Sequence, residues 1–223
     1  MRVAILRFPG TNCEFDTQYA FRKLGHTTQL IWHEETNLED DIDLVVVPGG
    51  FSYGDYLRSG SIAKFSPIMK TVKLYAENGG KVLGICNGFQ ILTEAGMLDG
   101  ALKRNNNLHF ISKYQNLRVE NSDNAFLNQC EDGEVLNIPI AHADGNFYID
   151  DDGLESLEAN GQILLRYCDT HGKRVVVNGS VTSIAGICNR EKNVFGLMPH
   201  PERALEMILG SVDGMKMLQG FEK

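Results

Sequence analysis

The sequence has no apolar run approaching the roughly 18 residues of a membrane span, and Met1-Arg2 is followed by only a short apolar stretch before Arg7. Neither a spanning helix nor a secretory leader is expected, and a cytosolic protein is. Positive charge is neither plentiful nor clustered. Lys and Arg number 21 against 29 Asp and Glu, a net charge of −8 with the basic residues scattered, so no footprint for nucleic acid is present. No Cys-x-x-Cys and no Cys/His ligand spacing occurs among Cys13, Cys86, Cys130, Cys168 and Cys188. Their odd number argues against a disulfide framework, and their spacing against a metal site; one reactive thiol among four structural ones is expected. Neither Gly-x-Gly-x-x-Gly nor Gly-x-x-x-x-Gly-Lys-[Ser/Thr] follows a predicted strand, which disfavours a nucleotide-binding module and leaves this chain without a recognisable ATP site. Linkers rich in Pro and Ser, internal repeats and low-complexity tracts are absent too. With 43% hydrophobic residues the chain can bury on the order of 70% of its unfolded surface, so residues 1–223 are expected to form one domain.

What is there alternates strands and helices. Arg2 to Phe8 reads as a strand, Pro9-Gly10-Thr11-Asn12 as a turn whose Asn12 caps a helix to about Leu24, and Gly25 as the stop. Thr28 to His33 is rich in β-branched and aromatic residues, Glu34 to Asp41 is a polar surface connection, and Leu44 to Val47 reads as a parallel strand buried on both faces. Pro67 to Asn78 has helical periodicity. Lys81 to Ile85 is again a buried strand, and Asn87 to Thr93 a helix. This order predicts an α/β fold with a doubly wound, mostly parallel sheet and ligands at the carboxyl ends of its strands. Gly96 to Asn107 reads as a polar connection. Residues 108–119, 135–140, 162–168, 173–178, 183–188 and 194–198 read as short strands forming an antiparallel extension, and Asp213 to Phe221 as a closing helix.

The chain is organised around Gly84-Ile85-Cys86-Asn87-Gly88. A nucleophile on a sharp strand-to-helix turn needs small residues two before and two after it, because side chains there would strike the neighbouring backbone. The helix start favours a thiolate. Read alone, the pattern also suits a small buried cysteine. His200, in Met198-Pro199-His200-Pro201-Glu202-Arg203, is held by prolines in an extended backbone, so Glu202 projects on its side and can orient the imidazole. Read alone, this segment also suits a rigid, solvated turn. Together the three side chains follow the logic of nucleophile, base and orienter. An oxyanion requires donors. The Asn87 amide at the helix start and the Gly50 turn on the adjacent strand end can supply them, and Gln90 lies one turn along from Cys86.

These three segments resemble the signatures of class I, triad-type glutamine amidotransferases, a flavodoxin-like fold family. Pro48 to Arg58, Trp32 to Thr36, Ala141 to Tyr148 and Asn178-Gly179-Ser180 through Met198 to Ala204 narrow the resemblance to the small, separate glutaminase subunits of phosphoribosylformylglycinamidine synthases. The resemblance implies that Cys86 attacks the side-chain amide of L-glutamine, that His200 protonates the departing ammonia and then activates water, and that Glu202 positions His200. It implies that Gly50 and Asn87 hold the oxyanion and that Gln90 contacts the glutamine. The ammonia would pass to a large synthetase subunit, which uses ATP and magnesium to convert formylglycinamide ribonucleotide to the amidine in purine biosynthesis. A small third subunit would join the complex. The resemblance gives no chemical role to His142 or to Gly54 to Arg58. Three other readings stay open: a stand-alone cysteine hydrolase or chaperone, a nucleotide-binding module, and an interaction subunit with a dead site. The first usually places its histidine close after the cysteine, and Phe89 to Asp99 contains none.

Overall fold

In the computed structural model, which describes residues 1–222, Val3, Ala4, Ile5 and Leu6 are fully buried within strand β1 (Arg2–Arg7). Helix α1 (Glu14–Lys23) returns the chain to β2 (Thr27–Trp32), which pairs parallel with β1. β3 (Leu44–Val47) pairs parallel with the other edge of β1, and all four of its residues are fully buried, as a strand covered on both faces requires. Helix α2 (Pro67–Glu77), with proline in its first turn, leads to β4 (Lys81–Ile85), and α3 (Asn87–Glu94) follows directly.

The remainder comprises β5 (Ala101–Lys103), β6 (Ile111–Val119), β7 (Val135–His142), β8 (Asn146–Tyr148), α4 (Asp151–Ala159), β9 (Ile163–Cys168), β10 (Ile184–Cys188), β11 (Val194–Leu197) and α5 (Asp213–Leu218). The main sheet runs β2-β1-β3-β4-β11-β10-β9-β6-β7. Its first five strands pair parallel and the rest antiparallel. The order reverses between β1 and β3, so right-handed crossovers put α1 and α2 on opposite faces and open a crevice at the carboxyl ends there. The mostly parallel, doubly wound sheet with its antiparallel extension is therefore the one expected.

Several local expectations are corrected. Residues 173–178 are not a strand: a single bridge joins Arg174 to Cys168, and although Val175 and Val177 pack against the core, Val176 between them is 84% exposed and no ladder forms. The supposed connection Gly96 to Asn107 contains β5, which pairs with β8 in a separate two-stranded sheet. Helix α4 was not foreseen; its cap is Asp150, whose side chain accepts the Gly153 amide at 2.9 Å. Asn12 does not cap α1. Cys13 holds that position, and the Asn12 side-chain oxygen accepts the Cys13 thiol at 3.2 Å. The closing helix ends at Leu218, and Gln219–Glu222 tightens into a 3₁₀ turn. Among the described residues, no helix is long and apolar enough to cross a membrane.

Candidate active site

β4 and β11 lie side by side, and the Cys86 amide donates to the Leu197 carbonyl at 2.7 Å just beyond their last paired residues, Ile85 and Leu197. The chain after β4 and the chain after β11 therefore emerge together, one bearing Cys86 and the other His200. Cys86 has φ +52° and ψ −104°, a backbone that an L residue adopts only under compulsion. The compulsion is packing. A Cβ on Gly88 would stand 1.8 Å from the Val47 carbonyl oxygen, and one on Gly84 2.8 Å from the Gly88 backbone, so both flanking glycines are required.

His200 and Glu202 are each 2% exposed, and Nδ1 of His200 lies 2.6 Å from Oε1 of Glu202. Glu202 reaches the ring by a different route from the one expected. Pro201–Arg203 forms a 3₁₀ turn, so the carboxylate folds back onto Nδ1 where an extended chain was predicted. Nδ1 being taken, Nε2 is the free edge, buried without a hydrogen-bond partner. Burial pulls the imidazole down, but the Glu202 carboxylate and a thiolate at Cys86 outweigh it and hold His200 up to about 10. The Cys86 sulfur makes one long contact, 3.6 Å to the Ala141 carbonyl oxygen.

Gly50 and Asn87 flank this thiol. Asn87 opens α3, so its amide has no carbonyl within the helix to donate to. Gly50 has φ +148°, and a Cβ there would stand 2.8 Å from the Asn12 amide, so the turns after β1 and β3 are pressed together at the crevice. Cys86, Gly50 and Phe110 line a cleft with two arms. The outer arm adds Cys13, His200 and Arg203; the inner arm adds Asp55, Ser59, Gln90, His142 and Asp144.

The chain matches the CobB/CobQ-like glutamine amidotransferase domain over residues 1–219. It belongs to that family. It is 65% identical over 221 residues to the phosphoribosylformylglycinamidine synthase subunit PurQ of Sulfurimonas denitrificans, covering 99% of both chains. It is 59% identical to the subunit of the same name from Campylobacter jejuni, covering 99% of this chain and 96% of that one. Among solved structures, a chain of PurLQS from Thermotoga maritima superposes with a TM-score of 0.89 at 42% identity, covering 99% of this chain and 97% of the other.

In this amidotransferase Gln90 lies on the cleft wall, but protein groups hold its side chain. Its Oε1 accepts from Nδ2 of Asn87 at 2.9 Å, and its Nε2 donates to the Asp144 carbonyl at 2.7 Å. Gln90 thereby ties α3 to the loop after β7. Cys13, assigned to the structural thiols by sequence, lies in the cleft. Its sulfur accepts from Nη2 of Arg203 at 3.0 Å and stands within 4.8 Å of ligand atoms of His200 and Glu202. Burial and the Glu202 charge push this thiol far up. Asp55, Ser59 and Asp144 were not singled out either. Asp55 and Asp144 lie inside the two quoted strings without a role and Ser59 one residue past the first, and only the fold joins them: Oγ of Ser59 donates to Oδ2 of Asp144 at 2.8 Å across 85 residues of sequence.

Proposed function

We propose that this chain is the glutaminase subunit of a phosphoribosylformylglycinamidine synthase. Residues 1–223 act as one amidotransferase domain, a reading supported by the unbroken nine-stranded sheet and by a family match spanning residues 1–219. The observation that carries the chemistry is the convergence of Cys86, His200 and Glu202 at the ends of two neighbouring strands.

The Cys86 thiolate attacks the side-chain carbonyl carbon of L-glutamine, and the amides of Gly50 and Asn87 receive the negative oxygen. Imidazolium at His200 gives its proton to the amide nitrogen, ammonia leaves, and a glutamyl thioester remains. His200, now neutral, takes a proton from water, hydroxide attacks the thioester, and glutamate departs with Cys86 restored as thiolate and His200 as imidazolium. Glu202 fixes the tautomer and orientation of the ring and stabilises its charge. Gln90 forms part of the wall against which the glutamine lies.

Ammonia then passes to a large synthetase subunit, which uses ATP and magnesium to make formylglycinamidine ribonucleotide, with a small third subunit in the complex. The PurLQS relative supports this division of labour. The cytosol suits an enzyme whose five cysteines are all free. The test is reconstitution with both partner subunits. Cys86→Ala should abolish glutamine-dependent formation of the amidine while free ammonium still supports it. Undiminished glutamine-dependent synthesis by Cys86→Ala would overturn the reading.

A further inference from the structure

The inner arm of the cleft contains two carboxylates and a single cation near them, a long ion pair from Arg104 to Asp144. Asp144 accepts from Ser59 through Oδ2, while its Oδ1 is buried without a hydrogen bond; the guanidinium of Arg104, itself mostly exposed, stands 3.7 Å away. Asp55 faces it closely enough to feel its charge. Burial first, and then Asp144, push the Asp55 carboxyl up to about 6. Backbone and side chains hold this costly arrangement in place. Asp55 has φ +54° in a loop where Tyr53 and Leu57 are also left-handed, and Nδ2 of Asn87 lies 3.4 Å from its Oδ1.

A third group completes the arm. His142 is 3% exposed, and its Nδ1 lies 3.2 Å from Oδ1 of Asn105. The Asn105 amide is fixed in that orientation, because its Nδ2 donates to the carbonyls of His109 and His142 and its Oδ1 accepts the Gly145 amide. Nδ1 of His142 must therefore carry the proton, and Nε2 presents a bare lone pair. That nitrogen is buried and has no partner, and His142 lines the inner arm. Two carboxylates and one neutral acceptor describe the complement of a primary ammonium, which has three N–H donors, one positive charge and no acceptor.

We infer that Asp55, Asp144 and Nε2 of His142 form an ammonium subsite that takes the α-amino group of the substrate while Cys86 attacks its far end. This rests on the glutaminase reading above, and it gives work to the two segments, Gly54 to Arg58 and the one around His142, that the triad leaves idle. It also assigns the selectivity of the site. A substrate lacking the ammonium leaves two half-buried carboxylates facing each other with only the exposed Arg104 beside one of them, and a site built around a polar group rejects an analogue without it strongly.

The test uses the full complex and two substrates, glutamine and 4-carbamoylbutanoate, which is glutamine without its α-amino group. The wild type should favour glutamine in kcat/KM by at least about a hundredfold. Asp55→Asn and Asp144→Asn, made separately, should each lose at least about tenfold on glutamine, nearly all in KM, with little change on the analogue. Equal losses on both substrates would mark the carboxylates as structural and overturn the inference. So would a wild type that turns over the two alike, a comparison that needs no substitution and stands even if a variant fails to fold. A wild-type complex that releases no ammonia from glutamine overturns the glutaminase reading itself, which is a separate outcome.

Discussion

Nδ1 of His200 and Oε1 of Glu202 stand 2.6 Å apart, both side chains almost wholly buried, and that contact sets the protonation of the site. The carboxylate sustains an imidazolium that burial alone would discharge. Neutralising the carboxylate while keeping its shape, as in Glu202→Gln, should lower the His200 pKa towards its usual value. One nearby opposite charge is worth roughly 1–3 pKa units. Activity that needs imidazolium then disappears at lower pH. The alkaline limb of kcat/KM for glutamine, expected close to pH 10 in the wild type from the raised His200, should move down by at least about one unit, and kcat should fall roughly tenfold to a hundredfold. A pH–rate profile of each complex checks this; an unmoved limb would detach Glu202 from the role of orienter.

A second expectation concerns thiols. Burial pushes Cys130 up to about 12, and Cys168 and Cys188 up to about 11, and it raises Cys13 further still. At pH 8 a thiol of pKa 11 is ionised in only about one molecule in a thousand, and the thiolate is the nucleophile. A glutamine-mimicking chloroketone should therefore label Cys86 alone, as peptide mapping would read. Cys13 is the stringent control, since it lines the same cleft. Label on Cys13 with Cys86 untouched and activity lost would reassign the nucleophile.

The elbow, the strand ends and the thiol-imidazole-carboxylate set were legible in the sequence because each is written locally. Two glycines flank the cysteine, buried runs end in turns, and a single proline separates the base from its orienter. The Asp55–Ser59–Asp144 contact was not, because it joins segments 85 residues apart that meet only when the loops after β3 and β7 fold over α3. Residues 173–178 misled because β-branched composition reports suitability for a sheet face, and here no neighbouring strand was left to pair beyond one bridge. Cys13 looked structural because nothing near it in sequence is basic; the partner that matters, Arg203, arrives from the chain after β11.

Stability should carry a signature of His142. Burial, helped by the charge on His200, pulls its pKa from 6.5 to about 4. The unfolded chain takes up this proton below about pH 6.5 and the folded chain only below about pH 4, so stability falls as pH drops through that window and this contribution levels off beneath it. The loss is on the order of 3 kcal/mol at 1.36 kcal/mol per unit. Urea unfolding of the wild type and of His142→Gln at pH 7, 5.5 and 4 would measure it. The variant should lose less stability across the window by roughly that amount, and parallel curves would show that the native imidazole titrates normally.

The mouth of the cleft bears on how hydrolysis is coupled to use of the ammonia. Phe51, Tyr56, Leu57 and Phe110 are 45%, 75%, 94% and 51% exposed, and the loop bearing the first three is held with left-handed φ at Tyr53, Asp55 and Leu57. Phe51 and Phe110 line the cleft and Tyr56 and Leu57 share the loop of Phe51; exposed large apolar side chains of this kind mark a surface that a partner covers, and a strained loop there gives docking something to adjust. The Gly50 amide, one of the two proposed oxyanion donors, lies at the start of that loop. Docking of the synthetase should therefore bring the Gly50 turn and residues 51–59 into the competent geometry, as closures elsewhere complete a catalytic constellation. The chain alone should hydrolyse glutamine weakly, and addition of the synthetase subunits with their substrates should raise kcat/KM for ammonia release by more than about tenfold, or about 1.4 kcal/mol of barrier. Leu57→Ser, which removes the most exposed of these apolar groups, should raise the synthetase concentration needed for half-maximal stimulation without lowering the basal rate of the isolated chain. Equal kcat/KM with and without the partner would mean that the oxyanion site is already formed, and control would then lie in the synthetase.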